Sequence, residues 1–150
     1  MYLGIDPGRA KCGWALVTEE GRLAASGIFD ICRAGEFMSI MARGDGAGAA
    51  IFALEGTKCL PRLFTVKEYL VGGGTGKELF LSLAKELSLR VKLVPEKGTT
   101  LKARKLYWDY KPPSGLRRLL PGGLRVPPRD IDDFAALAIV LEFIESKRAR

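Results

Sequence analysis

Acidic residues are placed along almost the whole of this 150-residue chain, with Asp6 near the start, Glu55 in the middle, and Asp130 and Asp133 near the end. Each follows a segment that reads as a strand or opens one that reads as a helix. From such positions, side chains of distant segments can meet at one rim of a sheet. Carboxylates pressed together repel unless cations neutralise them, and hard oxygen ligands suit Mg²⁺ or Mn²⁺, which in pairs drive phosphodiester hydrolysis. The chain contains no histidine. Without imidazole there is no Ser-His-Asp triad, no Cys-His nucleophile pair and no His-ligated zinc, so the acids are the one set of groups left for chemistry.

Each acid also has a structural use. Asp6 precedes Pro7-Gly8 and could form an Asx-type turn. Glu55 ends the apolar run Ile51-Phe52-Ala53-Leu54, where a buried strand carries no charge without a partner. Asp130 or Asp132 could cap the last helix and favour its dipole, which accounts for one Asp but not three. On helical spacing Asp130 and Asp133 share a face and Asp132 points elsewhere, so the pair is taken as ligating, with Asp132 the substitute for Asp130.

The net charge of +7 is unevenly placed. Residues 97–129 carry Lys97, Lys102, Arg104, Lys105, Lys111, Arg117, Arg118, Arg125 and Arg129 against Asp109 alone, a local +8 that leaves −1 elsewhere. With Tyr107, Trp108 and Tyr110 interleaved, the segment reads as the footprint of a polyanion with rings available for stacking; the alternative is a solvated basic surface with the rings in the core. Lys102, Arg104, Lys105, Lys111, Arg117 and Arg118 are the candidate nucleic-acid contacts, and Lys102 or Lys105 could help neutralise a transition state.

Several elements must position these groups. Residues 2–5, 13–17 and 23–29 read as three strands in quick succession, an antiparallel meander. Residues 33–49 include Arg43-Gly44-Asp45-Gly46-Ala47-Gly48 and read as a mobile loop with at most one helical turn. Residues 50–54 read as a buried strand that delivers Glu55 beside Asp6. Thr75-Gly76-Lys77-Glu78 has capping-box spacing, followed by Leu79, Phe80, Leu83, Ala84 and Leu87 as a helix's buried face. Residues 90–94 alternate as a strand, 100–107 can be helical and 111–128 form a loop rich in Pro and Gly. A last helix spans about 130–146, with Ile131, Phe134, Ala135, Ala138 and Leu141 as its apolar stripe. The expected fold is α/β, one domain over residues 1–150, with a five-stranded mixed sheet, its first three strands antiparallel, and helices on both faces.

Composition narrows the setting. An apolar content of 47% is ordinary for a soluble domain, no apolar run reaches the length of a membrane span, and the start lacks a signal peptide's pattern, so a cytoplasmic protein of a cell or phage-infected cell is expected, without membrane partners. Cys12, Cys32 and Cys59 are odd in number with no C-x-x-C pair, arguing for free thiols. Gly72-Gly73-Gly74-Thr75-Gly76-Lys77 lacks the spacing of a phosphate-binding P-loop, since Val71 and Glu78 occupy two positions that the pattern needs.

Gly4-Ile5-Asp6-Pro7-Gly8 with Gly13-Trp14-Ala15, then Leu54-Glu55, then Asp130-Ile131-Asp132-Asp133-Phe134-Ala135-Ala136-Leu137-Ala138-Ile139, resembles the RuvC-type Holliday-junction resolvases over nearly the whole chain. The resemblance implies a ribonuclease H-like fold in which Asp6, Glu55, Asp130 and Asp133 bind two Mg²⁺ or Mn²⁺ ions and catalyse hydrolysis. It also implies a four-way DNA junction as substrate, a homodimer as the working unit, and no small-molecule cofactor. Phe80 or Leu83 could supply the dimer contact, with the monomer core as the other use of each. In one respect the chain departs from that family, because the connection before the fourth strand is short and glycine-rich. In another, Glu96-Lys97-Gly98-Thr99-Thr100 with Ala103 is similar to the D-E-R-x-T-T motif of the YqgF relatives, which are linked to ribosomal RNA maturation. An RNA nuclease is therefore the alternative reading, and a binding-only protein a third.

Overall fold

Short runs of apolar residues separated by turn-forming pairs make the first thirty residues a meander, as the spacing predicts. In the computed structural model, which describes residues 1–95 and 99–149, β1 (Tyr2–Pro7), β2 (Lys11–Val17) and β3 (Leu23–Asp30) pair antiparallel. β4 (Glu68–Gly72) then lies parallel to β1, and β5 (Val91–Val94) parallel to β4. The five-stranded mixed sheet has the order β3-β2-β1-β4-β5, which puts Asp6 on its middle strand.

Residues 50–54 are not a strand. The helix α1 (Ala34–Arg43) ends at Gly44, whose φ of 64° lets its N–H turn back to Ile40 and Met41. A second helix, α2 (Gly46–Ile51), starts directly afterwards, capped by the Asp45 carboxylate, which accepts from the Gly48 N–H at 3.0 Å. Two caps placed back to back thus turn the glycine-rich stretch into helix rather than mobile loop. The expected burial of the following run also fails in part, with Ile51 70% and Leu54 51% exposed. The fourth strand is supplied instead by Glu68–Gly72, whose Tyr69, Leu70 and Val71 are buried.

Two layers of core cover the sheet. On one face Leu3, Ile5, Trp14 and Leu16 pack with Phe37 and Met41 of α1 and with Phe80 and Ala84 of α3 (Lys77–Glu86). Phe80 is fully buried, which excludes it as a dimer contact; Leu83 is partly buried against the same core. The capping box at Thr75 does not form, since Gly76 is the N-cap and no side chain caps the helix, and Leu79 is 40% exposed. On the other face α4 (Thr99–Tyr110) and α5 (Asp132–Arg148) pack with Tyr2, Ala15 and Val17. Held between sheet and α4, α5 buries Ala136, Leu137, Ile139, Val140 and Ile144 as well as Phe134 and Ala138, a wider band than the expected stripe. Ala135 and Leu141 are only partly buried. No described helix is long and apolar enough to cross a membrane.

Candidate functional site

Side chains alternate across a strand, so Asp6 shares the α5 face of the sheet with Tyr2 and Gly4, while Leu3 and Ile5 point to the other layer. Asp6 pairs across the ladder with Gly13. A Cβ at Gly13 would lie 2.0 Å from the Asp132 carbonyl oxygen and 2.7 Å from the Asp133 nitrogen. The start of α5 therefore sits on bare backbone next to Asp6, and glycine at position 13 is what lets it come so close. One turn further along α5, the Ala136 carbonyl meets Gly4 in the same way.

This placement sorts the acids differently from their spacing in sequence. Asp130 precedes the helix, whose N-cap is Ile131, so neither Asp130 nor Asp132 serves as cap and the shared face expected for Asp130 and Asp133 does not arise. Asp130 is exposed and accepts from Lys11 Nζ at 3.0 Å. Asp133 is fully buried and accepts from Ser26 Oγ at 2.8 Å. Asp132 is half-buried beside Gly13. Burial, then the neighbouring charges of Asp130 and Asp133, raise its carboxyl above the usual range, with Lys11 opposing.

Glu55 lies by the sheet edge away from β4. Its backbone makes a lone antiparallel bridge to Ser26 of β3, the sheet's edge strand, rather than ending a strand beside β1. The Arg129 guanidinium joins the two buried acids, with Nη2 at 3.0 Å from Glu55 Oε1 and Nη1 at 2.9 Å from Asp133 Oδ1. Lys111 Nζ adds a second cation to Glu55 at 2.6 Å. Burial alone would push the Glu55 carboxyl up, but the bonds from Lys111 and Arg129 outweigh it and hold the group below its ordinary value. Burial likewise works against the charge on Arg129, and Asp133 and Glu55 overcome it, driving the guanidinium above its usual value.

The acids differ in their partners more than the spacing in sequence suggests. Ser26 and Asp6 stand two strands apart, about 10 Å across the ladder, and the Asp133 carboxylate turns toward Ser26 while its backbone lies by Gly13, opposite Asp6. Among the described residues no three His, Cys, Asp or Glu side chains are grouped to hold a metal ion. Both Asp133 oxygens are bonded to Arg129, one of them also to Ser26, and Glu55 receives Arg129 and Lys111 at Oε1. The docking on Gly13 brings the Asp132 backbone to the rim opposite Asp6, with the Asp132 carboxyl raised by burial and then by Asp130 and Asp133. Cys12, on β2 alongside them, shows the same field. Burial and then the charges of Asp6, Asp132 and Asp30 push its thiol up to about 11, against one opposing backbone bond from Gly8.

The basic candidates also divide. Lys102 pairs with Glu142 at 3.4 Å, ten residues and so about 15 Å along α5 from Asp132. Lys105 lines a cleft with Asp109, Glu142 and Glu145 on that same remote side, so neither lysine neutralises charge at the Asp6 rim. Lys111 is taken up by Glu55. Arg104 lines a cavity of about 420 Å³ with Pro127, Pro128, Arg129 and Asp130, beside the candidate site. Arg117 and Arg118 are exposed. The rings split as well, with Tyr107 buried against Phe134 and Tyr110 45% exposed.

The residues missed in the sequence are Ser26, Lys11 and the bridging role of Arg129. A lone serine among Ala24, Ala25 and Gly27 in a buried strand was the available signal, because such a hydroxyl needs a partner. Of the motif at residues 96–100 with Ala103, residues 96–98 lie outside the described residues, and Thr99, Thr100 and Ala103 belong to α4. No protein-family model matches the chain, and no curated protein matches it.

Proposed function

We propose that this chain is a divalent-metal-dependent nuclease of ribonuclease H-like architecture that cuts four-way DNA junctions. The observation that carries the reading is the docking of α5 on Gly13, which sets Asp132 next to Asp6 on the middle strand of a mixed sheet. Strand order supports it too, as does the basic segment that leads into α5. Asp6 and Asp132 are the residues that would hold Mg²⁺ or Mn²⁺, with Asp130 at the flank. The bound ions, two in the full reaction, would supply an activated water and charge stabilisation at the leaving oxygen. The chain's own part is positioning. Arg129 fixes Glu55 and Asp133 and so anchors the first turn of α5, while Lys11 holds Asp130 at the entrance.

Paired nicks in strands related by a two-fold axis call for two such centres, so the working unit proposed is a symmetric homodimer. A YqgF-like RNA nuclease is the second reading. It rests on the sequence similarity of Glu96-Lys97-Gly98-Thr99-Thr100 with Ala103 to the motif of those relatives. Incubation with a four-way DNA junction, a linear duplex and a structured RNA, each with Mg²⁺, decides between them. The proposal expects symmetric junction cuts. Cutting of RNA alone transfers the assignment to the second reading, and no cutting of any substrate removes both.

A further inference from the structure

Five large apolar side chains stand in solvent within one short stretch: Leu116 is 83% exposed, Leu119 81%, Leu120 42%, Leu124 65% and Val126 67%. Exposure on this scale in so few residues marks a surface that something covers. The stretch is also braced. It contains two 3₁₀ turns, Gly115–Leu119 and Gly122–Leu124. Arg125 ties them together, donating from Nε to the Leu120 carbonyl at 2.8 Å and from Nη2 to that of Arg118 at 3.2 Å. Trp108 Nε1 of α4 donates to the Arg125 carbonyl at 3.3 Å, fixing the strap to the body of the protein. Pro127-Pro128 then carries it into Arg129 and the candidate site.

The charge among these leucines selects the occupant. Arg117 and Arg118 lie between Leu116 and Leu119, exposed and without an ion pair among the described residues, and no acidic residue occurs from Lys111 to Arg129. A second copy of this chain would bring the same positive charge to the contact, whereas a nucleic acid complements it. Proteins that open nucleic acid set basic groups on phosphates and drive apolar wedges, leucine among them, between base steps. Such a wedge costs least where stacking is already broken, as at a branch.

We infer that the strap of residues 115–126 is an unstacking wedge, in which Arg117 and Arg118 hold phosphates and Leu116 and Leu119 enter the base stack next to the scissile strand. This inference rests on the nuclease reading and adds the element that recognises the branch. The wedge acts before hydrolysis, so it is measured in EDTA, without metal.

The test uses the whole chain with a four-way DNA junction carrying 2-aminopurine beside the branch. Binding is followed by anisotropy and unstacking by 2-aminopurine emission. Saturating wild-type protein should raise emission severalfold. Leu116→Ala/Leu119→Ala should lose most of that rise at saturation while keeping the salt dependence of binding. Arg117→Ala/Arg118→Ala should keep the rise at saturation but flatten the slope of log affinity against log salt by roughly two, about one for each phosphate no longer neutralised. Circular dichroism of each variant should match the wild type, since all four side chains are in solvent. Binding without an emission rise, or a rise that survives the leucine changes, overturns the wedge and leaves the nuclease reading standing. Absence of junction binding removes both. Sedimentation showing a wild-type dimer that the leucine changes dissociate assigns the patch to a second copy and overturns the inference as well.

Discussion

The acids around Arg129, on one hand, and Asp132 at the start of α5, on the other, are treated in opposite ways. Glu55 and Asp133 are buried and matched: one guanidinium spans them, Lys111 adds charge to Glu55, and Ser26 satisfies Asp133. Among the described residues no ion pair with Asp132 is formed, and burial, then Asp130 and Asp133, raise its carboxyl against the more distant charge of Lys11. Charge that is fully paired in a buried place holds elements together, here the 54–55 segment, β3 and α5. Charge left crowded at a rim is energy available to a cation from outside. Acid count is therefore a poor guide to a metal centre, because the cations already present decide which acids remain on offer.

The contrast should collapse most visibly at Arg129. Arg129→Ala leaves Glu55 with Lys111 alone and Asp133 with a hydroxyl, and removing one partner from a buried set of charges costs about 3 kcal/mol. Urea unfolding at neutral pH should show that loss. Its pH dependence has a definite sign. Because Glu55 has a lowered carboxyl in the folded protein, the stability it contributes is present above the ordinary glutamate range and is lost as pH falls through the folded value. The deficit of the variant should therefore shrink in acid. A deficit that stays constant with pH would mean that packing, not charge, is what Arg129 supplies.

The opposite sign is expected at Asp132. Its carboxyl is raised, so its favourable contribution is present below the ordinary aspartate range and is lost as pH climbs through the folded value. At neutral pH an ionised Asp132 is a burden. Asp132→Asn should unfold at higher urea than the wild type near pH 7 and at the same urea in strong acid. Added Mg²⁺ should stabilise the wild type more than the variant, since ligand binding to the native state raises its stability. Equal midpoints at neutral pH, with and without Mg²⁺, would make the rim as inert as the Arg129 network.

The smallest effect belongs to the Lys11–Asp130 pair, whose side chains are 60% and 63% exposed. Lys11→Met should leave the unfolding midpoint nearly unchanged, as changes in exposed pairs do, and any shift should fade in high salt. A larger, salt-insensitive change in thermal unfolding would place this pair in the buried network instead.

Much of the scaffold is legible in the sequence. The meander, a helix over residues 100–107 that the structure extends to 99–110, the loop after it and the final helix follow from period-2 and period-3.6 patterns and from proline and glycine. The fourth strand is not, because Tyr69-Leu70-Val71 and Ile51-Phe52-Ala53-Leu54 are both short apolar runs and periodicity cannot rank them. Asp45 decides the matter by capping α2, a local hydrogen bond that composition conceals among glycines. The acids stand out in the sequence, but their grouping does not. Spacing places Asp130 with Asp133 only if both are helical, and the helix begins at Asp132. Gly13 reads as part of a strand motif, whereas its role is to let a helix backbone rest on it, which depends on a partner more than a hundred residues away.

If the rim at Asp6 does chemistry and the Arg129 network does not, cleavage of a four-way DNA junction in Mg²⁺ must separate Asp6→Asn from Glu55→Gln, each assayed well below its own unfolding midpoint. Asp6→Asn should lose at least about a hundredfold in cleavage rate, in keeping with a metal contribution of several kcal/mol, with junction binding and folding kept. Glu55→Gln should be less stable but cut within about threefold of the wild-type rate while folded, since the expected difference in barrier is well under about 1.4 kcal/mol. Full activity in Asp6→Asn, or loss of cutting in a folded Glu55→Gln, would contradict the division.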